Sequence, residues 1–170
     1  MAEPLRGERA VVLNYLAHFR STFEALCEGL DDDQLATRSV PPSSMSLLGL
    51  LRHLAAVEYS WFRRVMERRL DRPKMWGKDE HRDADFDGAV ADPDVVAEAW
   101  AAWRAEVEFA EQWVDAAPSF DVTGELDTPD GRIDIELRDV LVHLVEEYAR
   151  HCGHADLLRE RIDGRTGIGS

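Results

Sequence analysis

Positive charge is scarce in this sequence. Its 170 residues carry 20 Lys and Arg against 34 Asp and Glu, a formal net charge of −14. Such a chain repels phosphate backbones and anionic lipid surfaces, which excludes nucleic acid and membrane surfaces as partners. Cysteine is scarcer still. Cys27 and Cys152 lie far apart and no CxxC is present, so there is no disulfide framework. Both fall on apolar faces of predicted helices, where a small buried thiol is the ordinary reading. A reactive thiol at Cys152, beside His151, is the alternative. No apolar run is long enough to cross a bilayer. The first residues, MAEPLRGERAV, are charged and lack the apolar core of a secretory leader, so a cytoplasmic protein is expected. No internal repeat is visible.

What the chain does have is helical periodicity. Residues 7–30 carry the stripe Val12, Leu13, Leu16, Phe19, Phe23, Cys27 and Leu30. The run Asp31-Asp32-Asp33 after it opposes a helix C-terminus and suits the cap of a following short turn. Pro41 and Pro42 mark a loop, and Ser44 or Ser46 offers the cap of a second helix over residues 45–69. Leu47, Leu50, Leu54, Val57, Trp61 and Val65 form its apolar sector, with His53 at the rim and Glu58 inside. Residues 70–91 break the pattern with Pro73, Gly77 and Gly88. Connections of that length are often functional or crossover segments. Met75 and Trp76 within it can fold over a pocket mouth or simply pack. Asp92-Pro93 starts a third helix reaching to residue 117, with Trp100 and Trp103 read as core. Pro-Asp-Gly between Leu126 and Ile133 signals a tight turn or short hairpin, after which Asp134 can cap the last helix.

That last helix, residues 136–161, organises the chain. It carries His143, Glu147, His151 and His154. Residues four apart are neighbours on one helix face, so Glu147 and His151 can reach one ion together. At about 100° per residue from Glu147, the apolar sector covers roughly 20° to 140° and His151 falls at about 40°, inside it. By the same count His154 lies near −20° and His143 near −40°, progressively toward solvent. A carboxylate and an imidazole at the edge of a greasy face cost desolvation energy unless something binds them. Glu147 and His151 are therefore the inward pair, and His154 or His143 a surface or supporting group. The best third ligand is His53. Two imidazoles and one carboxylate suit zinc, iron, nickel or manganese, and three protein ligands leave a position for water or substrate.

The expected architecture is all-α: a four-helix bundle with a long crossover between helices two and three and a short turn or hairpin before helix four. It occupies one domain over residues 1–164, with a flexible tail at 165–170.

The stretches SLLGLLRHLAAVEYSWF around His53 and EEYARHCGHADLLRERIDG around Glu147 and His151 resemble the DinB-like four-helix metalloproteins. The similarity covers nearly the whole chain and is greatest to the actinobacterial branch of mycothiol-dependent maleylpyruvate isomerase and mycothiol transferases. Many DinB-like proteins carry three histidines, the last two as HxxxH. Glu147-x-x-x-His151 matches the His-Glu-His variant of the isomerase relatives, where zinc is bound. The resemblance implies His53, Glu147 and His151 as ligands, with His154 an extra residue near the site. It implies a divalent metal activating a low-molecular-weight thiol such as mycothiol for attack on an electrophilic small molecule, and it makes a homodimer plausible. Glu58 is expected to orient a ligand imidazole, and Arg52 or Arg150 to meet an anionic substrate group. Two other readings stand beside this one. The first is a non-catalytic metal- or ligand-binding stress-response module. The second is a metal-free bundle in which His53 and Glu147 pair across the core.

Overall fold

The computed structural model describes residues 6–167. The leader reading at Met1–Leu5 and the last three residues of the expected tail lie outside the described residues. The chain is mostly helical with a small two-stranded sheet. Four long helical segments dominate: α1 (Glu8–Cys27), α3 (Leu47–Tyr59), α5 (Pro93–Ala116) and α6 (Leu137–Asp163). Short helices α2 (Asp32–Ala36) and α4 (Ala84–Asp87) lie between them, and strands β1 (Thr123–Thr128) and β2 (Gly131–Glu136) precede α6. Helix α1 packs on α6, and α3 packs on both α5 and α6. Among the described residues, no helix is long and apolar enough to cross a membrane.

Local chemistry sets the element ends. Asp31 caps α2 in a reciprocal box: its carboxylate accepts from the Gln34 amide, and the Gln34 side chain accepts from the Asp31 amide. Ser46 is the cap of α3, accepting from Gly49 N at 3.0 Å. Asp92 and Pro93 open α5, and Gly164 closes α6 in the left-handed region at φ 79°. Asp134 does not cap α6. It sits in β2, where its carboxylate accepts from Arg68 at 3.0 Å. The amides of Leu137 and Arg138 donate instead to the carbonyls of Val122 and Phe120, so tertiary contacts supply the partners a cap would have supplied.

The second long helix departs from the periodic reading. After Tyr59 it widens into a π-helical turn, Ser60–Met66, that buries Phe62, Val65 and Met66. The hairpin closes against this turn. A Cβ on Gly124 would lie 2.5 Å from the Val65 carbonyl oxygen, so only glycine allows the approach. Arg68 ties the hairpin down through Glu125, Thr123 and Asp134. The connection after it carries a 3-10 turn at Met75–Gly77 as well as α4.

The core joins all four long segments. Phe23, Leu47, Leu50, Leu54, Phe62, Ala99, Ala110, Leu141, Leu144 and Tyr148 have no more than 2% of their surface exposed. Cys27 and Cys152 are both buried free thiols. Burial pushes each up to about 12, and Cys152 Sγ donates to the Phe19 carbonyl at 3.4 Å. Burial and that bond both favour the thiol form of Cys152, which weighs against the reactive-thiol alternative.

Candidate metal centre

The site forms where α3 and α6 meet. His53 comes from the second turn of α3, and Glu147 and His151 from one face of α6. Each offers an atom within 4.8 Å of the other two. The contacts converge on one oxygen: His53 Nε2 lies 3.6 Å and His151 Nε2 3.3 Å from Glu147 Oε2. The two imidazole rings meet edge to face with centroids 4.8 Å apart. A tetrahedral zinc with bonds of about 2.0–2.1 Å separates neighbouring donor atoms by roughly 3.3–3.5 Å. Two of the donor separations lie near that spacing and all three atoms fall within 4.8 Å of one another, so the group could hold one small divalent cation, and the donor types are those such a cation takes.

Both rings are held from behind. His53 Nδ1 donates to Asp85 Oδ2 at 2.9 Å, which leaves Nε2 as the free lone pair on the Glu147 side. The ring also stacks on Phe86, centroids 5.4 Å apart. Asp85 is completely buried and takes a second bond from Lys78 Nζ. Burial works against its charge, but the bonds from His53 and Lys78 prevail and hold its carboxyl below the usual range. Across the site, His151 Nδ1 lies 3.2 Å from His154 Nδ1. Burial first, then His151 and Arg150, lower the His154 pKa and favour its neutral form. With His154 Nδ1 as the acceptor of His151 Nδ1–H, the His151 Nε2 lone pair is left for the centre.

Glu147 is strongly acidic here. Its bonds to His151 and His53 outweigh partial burial and hold its carboxyl far below the usual range. His53 responds in kind: burial lowers its pKa, yet the bonds to Asp85 and Glu147 raise it on balance. A carboxylate with two imidazoles turned toward it is a concentrated donor set.

Other expected participants take different places. Glu58 touches none of the three. Its Oε1 accepts from Arg20 Nε at 2.8 Å and from Tyr148 Oη at 2.9 Å, and Trp103 Nε1 donates to Tyr148 Oη at 2.8 Å. The carboxylate that orients a histidine is Asp85, from α4. Arg52 is buried. It donates to the carbonyls of Asp85 and Ala84 and stacks 4.1 Å from the Trp76 ring centre. Arg150 pairs with Glu146 and Glu147 on its own helix. His143 is partly exposed and meets Trp61 edge to face, centroids 4.9 Å apart. Trp76 donates to the Arg52 carbonyl at 2.9 Å and holds the connection to α3. Asp85 escaped the sequence reading because it lies in an acidic stretch with no periodic partner.

The centre opens onto a cavity of about 420 Å³ through His53, which is within the usual size of a small-molecule site. Its walls include Val57 and Trp61 from the second long segment, Leu70 and Met75 from the connection, and Leu126 from the hairpin.

A family model described as mycothiol-S-transferase matches residues 11–164. No curated protein matches the chain. Among solved structures, the conserved protein of locus from Enterococcus faecalis is similar, with a TM-score of 0.63 at 13% identity, over 91% of this chain and 96% of that one. At that identity the likeness speaks for the fold alone. With a family match that spans both long stretches of the site, the chain belongs to the DinB-like mycothiol S-transferase family.

Proposed function

We propose that this chain is a metal-dependent thiol S-transferase, with His53, Glu147 and His151 holding one divalent ion, zinc by preference. The thiol is mycothiol and the acceptor an electrophilic small molecule. The carrying observation is the convergence of the three donor atoms within 4.8 Å of one another, with both imidazole nitrogens about a tetrahedral edge from the same Glu147 oxygen. Family membership supports the thiol. In this reading the four long segments form the bundle of that family as one domain acting in the cytoplasm.

When bound, the ion supplies charge that favours thiolate over thiol at neutral pH. The rest is done by the protein. Asp85 and His154 fix both ring orientations, so the donor atoms need little reorganisation. Glu147 contributes a negative charge that an imidazole ligand does not. Val57, Trp61, Leu70 and Met75 line the space beside His53 and give an acceptor a largely apolar seat. Holding thiolate and acceptor in one space converts an encounter into an oriented attack.

Elemental analysis together with turnover of mycothiol and a chlorinated arene tests this reading. Wild-type protein should hold about one equivalent of metal after reconstitution, and His53→Ala should lose both metal and turnover. Equal turnover by His53→Ala sinks the reading. A ratio near zero after reconstitution favours the metal-free alternative, which the ion-pair reach of His53 to Glu147 already accommodates.

A further inference from the structure

Lysine is almost absent from this chain. Lys74 and Lys78 are its only two, and arginine makes up the rest of its 20 cations. Both lysines line the cavity that His53 helps to wall. A third cation, Arg64, and one acid, Asp127, share that wall. On a chain of net charge −14, this is a local reversal of sign.

Three of these four groups are committed. Arg64 donates to the carbonyls of Arg72 and Leu70, and so shapes the wall. Lys78 bonds Asp85 behind His53. Asp127 accepts from Arg132 at 2.9 Å. Lys74 is different. Its Nζ is 3.8 Å from Asp79 Oδ1, beyond hydrogen-bond distance, and both side chains are about half exposed. The other Asp79 oxygen accepts from the Lys74 backbone amide at 2.6 Å. That leaves one ammonium with no hydrogen bond and only a long, half-exposed ion pair to Asp79, on a flexible stem, at the edge of an apolar space. A point charge of this kind receives an anion without the fixed fork of an arginine.

We infer that the acceptor molecule has an apolar body and a carboxylate, the carboxylate held by Lys74. The inference rests on the thiol-transfer reading and narrows its substrate class.

Two matched pairs of compounds test it on the full chain. In calorimetry, the unreactive 4-methyl-3-nitrobenzoate is compared with its methyl ester. The acid should bind about tenfold tighter, as a charge-assisted contact to a half-exposed group allows. Added salt should shrink that preference. In turnover, mycothiol is offered 4-chloro-3-nitrobenzoate or its methyl ester, each rate taken relative to the uncatalysed one. The thiolate sulfur bonds the ring carbon that carries chlorine, chloride leaves with the C–Cl electron pair, and the thiol proton goes to solvent. Lys74→Met should abolish the acid-over-ester preference in both arms, and Lys74→Arg should restore most of it. Equal binding of acid and ester, or a preference that survives Lys74→Met, overturns the assignment to Lys74. If the ester is still turned over, the transfer reading survives that result. Conversely, no turnover of either compound with an intact, Lys74-dependent binding preference overturns the transfer reading and leaves the anion site standing.

Discussion

An imidazole binds a cation only if its lone pair is already aimed at the right place. His53 meets that condition because Asp85 takes its other nitrogen and Phe86 stacks on its ring. Neither partner shares a helix with it; both come from α4, which is only four residues long. Gly49 makes the docking of α4 feasible, since a Cβ there would come within 2.8 Å of the Phe86 ring. Asp85→Asn keeps the shape and removes the charge behind the ring. We expect metal affinity to fall about 10- to 100-fold, measured by competition with a coloured chelator, while the far-ultraviolet circular dichroism stays native. The three ligand candidates were legible in the sequence because helical spacing put Glu147 and His151 on one face and His53 on the rim of another. Asp85 was not, since a carboxylate 32 residues from its partner, in a stretch full of carboxylates, leaves no local pattern.

Elements meet here through a few contacts that tolerate little change. The hairpin lies so close to the π-helical turn that Gly124 has no room for a side chain. Gly124→Val should therefore destabilise the protein by about 1–3 kcal/mol, the usual cost of forced overpacking, read from urea melts. Because Leu126 lines the cavity, the same change should also alter acceptor selectivity. The long segments are joined by a different device. Arg20 on α1, Glu58 on α3 and Tyr148 on α6 form one buried cluster. Arg20→Met strands a carboxylate that has no surface exposed and should cost about 3–5 kcal/mol. The double variant Arg20→Met/Glu58→Met should recover most of that loss, because no buried charge is left alone. A denaturation cycle on the four proteins checks this; equal losses in the single and double variants would count against it. The sequence showed that a buried Glu58 needs a partner or a role, but the partner sits 38 residues away on another helix.

For the molecule as a whole, the site and the fold should be thermodynamically linked. A ligand that binds only the folded chain stabilises it by about 2.7 kcal/mol at 100 times its dissociation constant. At about 2–4 °C per kcal/mol for a chain of this size, stripping metal with a chelator should lower the melting temperature by roughly 5–10 °C. Titrating zinc back should restore it in a concentration-dependent way. An unchanged melting temperature in wild type, equal to that of His53→Ala, would refute the linkage. The sequence by itself determined the long helices, most of their ends and the inward faces of α3 and α6. Those depend on periodicity and capping, which act over a few residues. Only the tertiary structure decided which carboxylate backs His53, which lysine is left without a hydrogen bond and where the π-helical turn and hairpin enclose the cavity. Each of these is settled by packing between segments distant in the chain, where the energies are set by approach and burial rather than by order along the backbone.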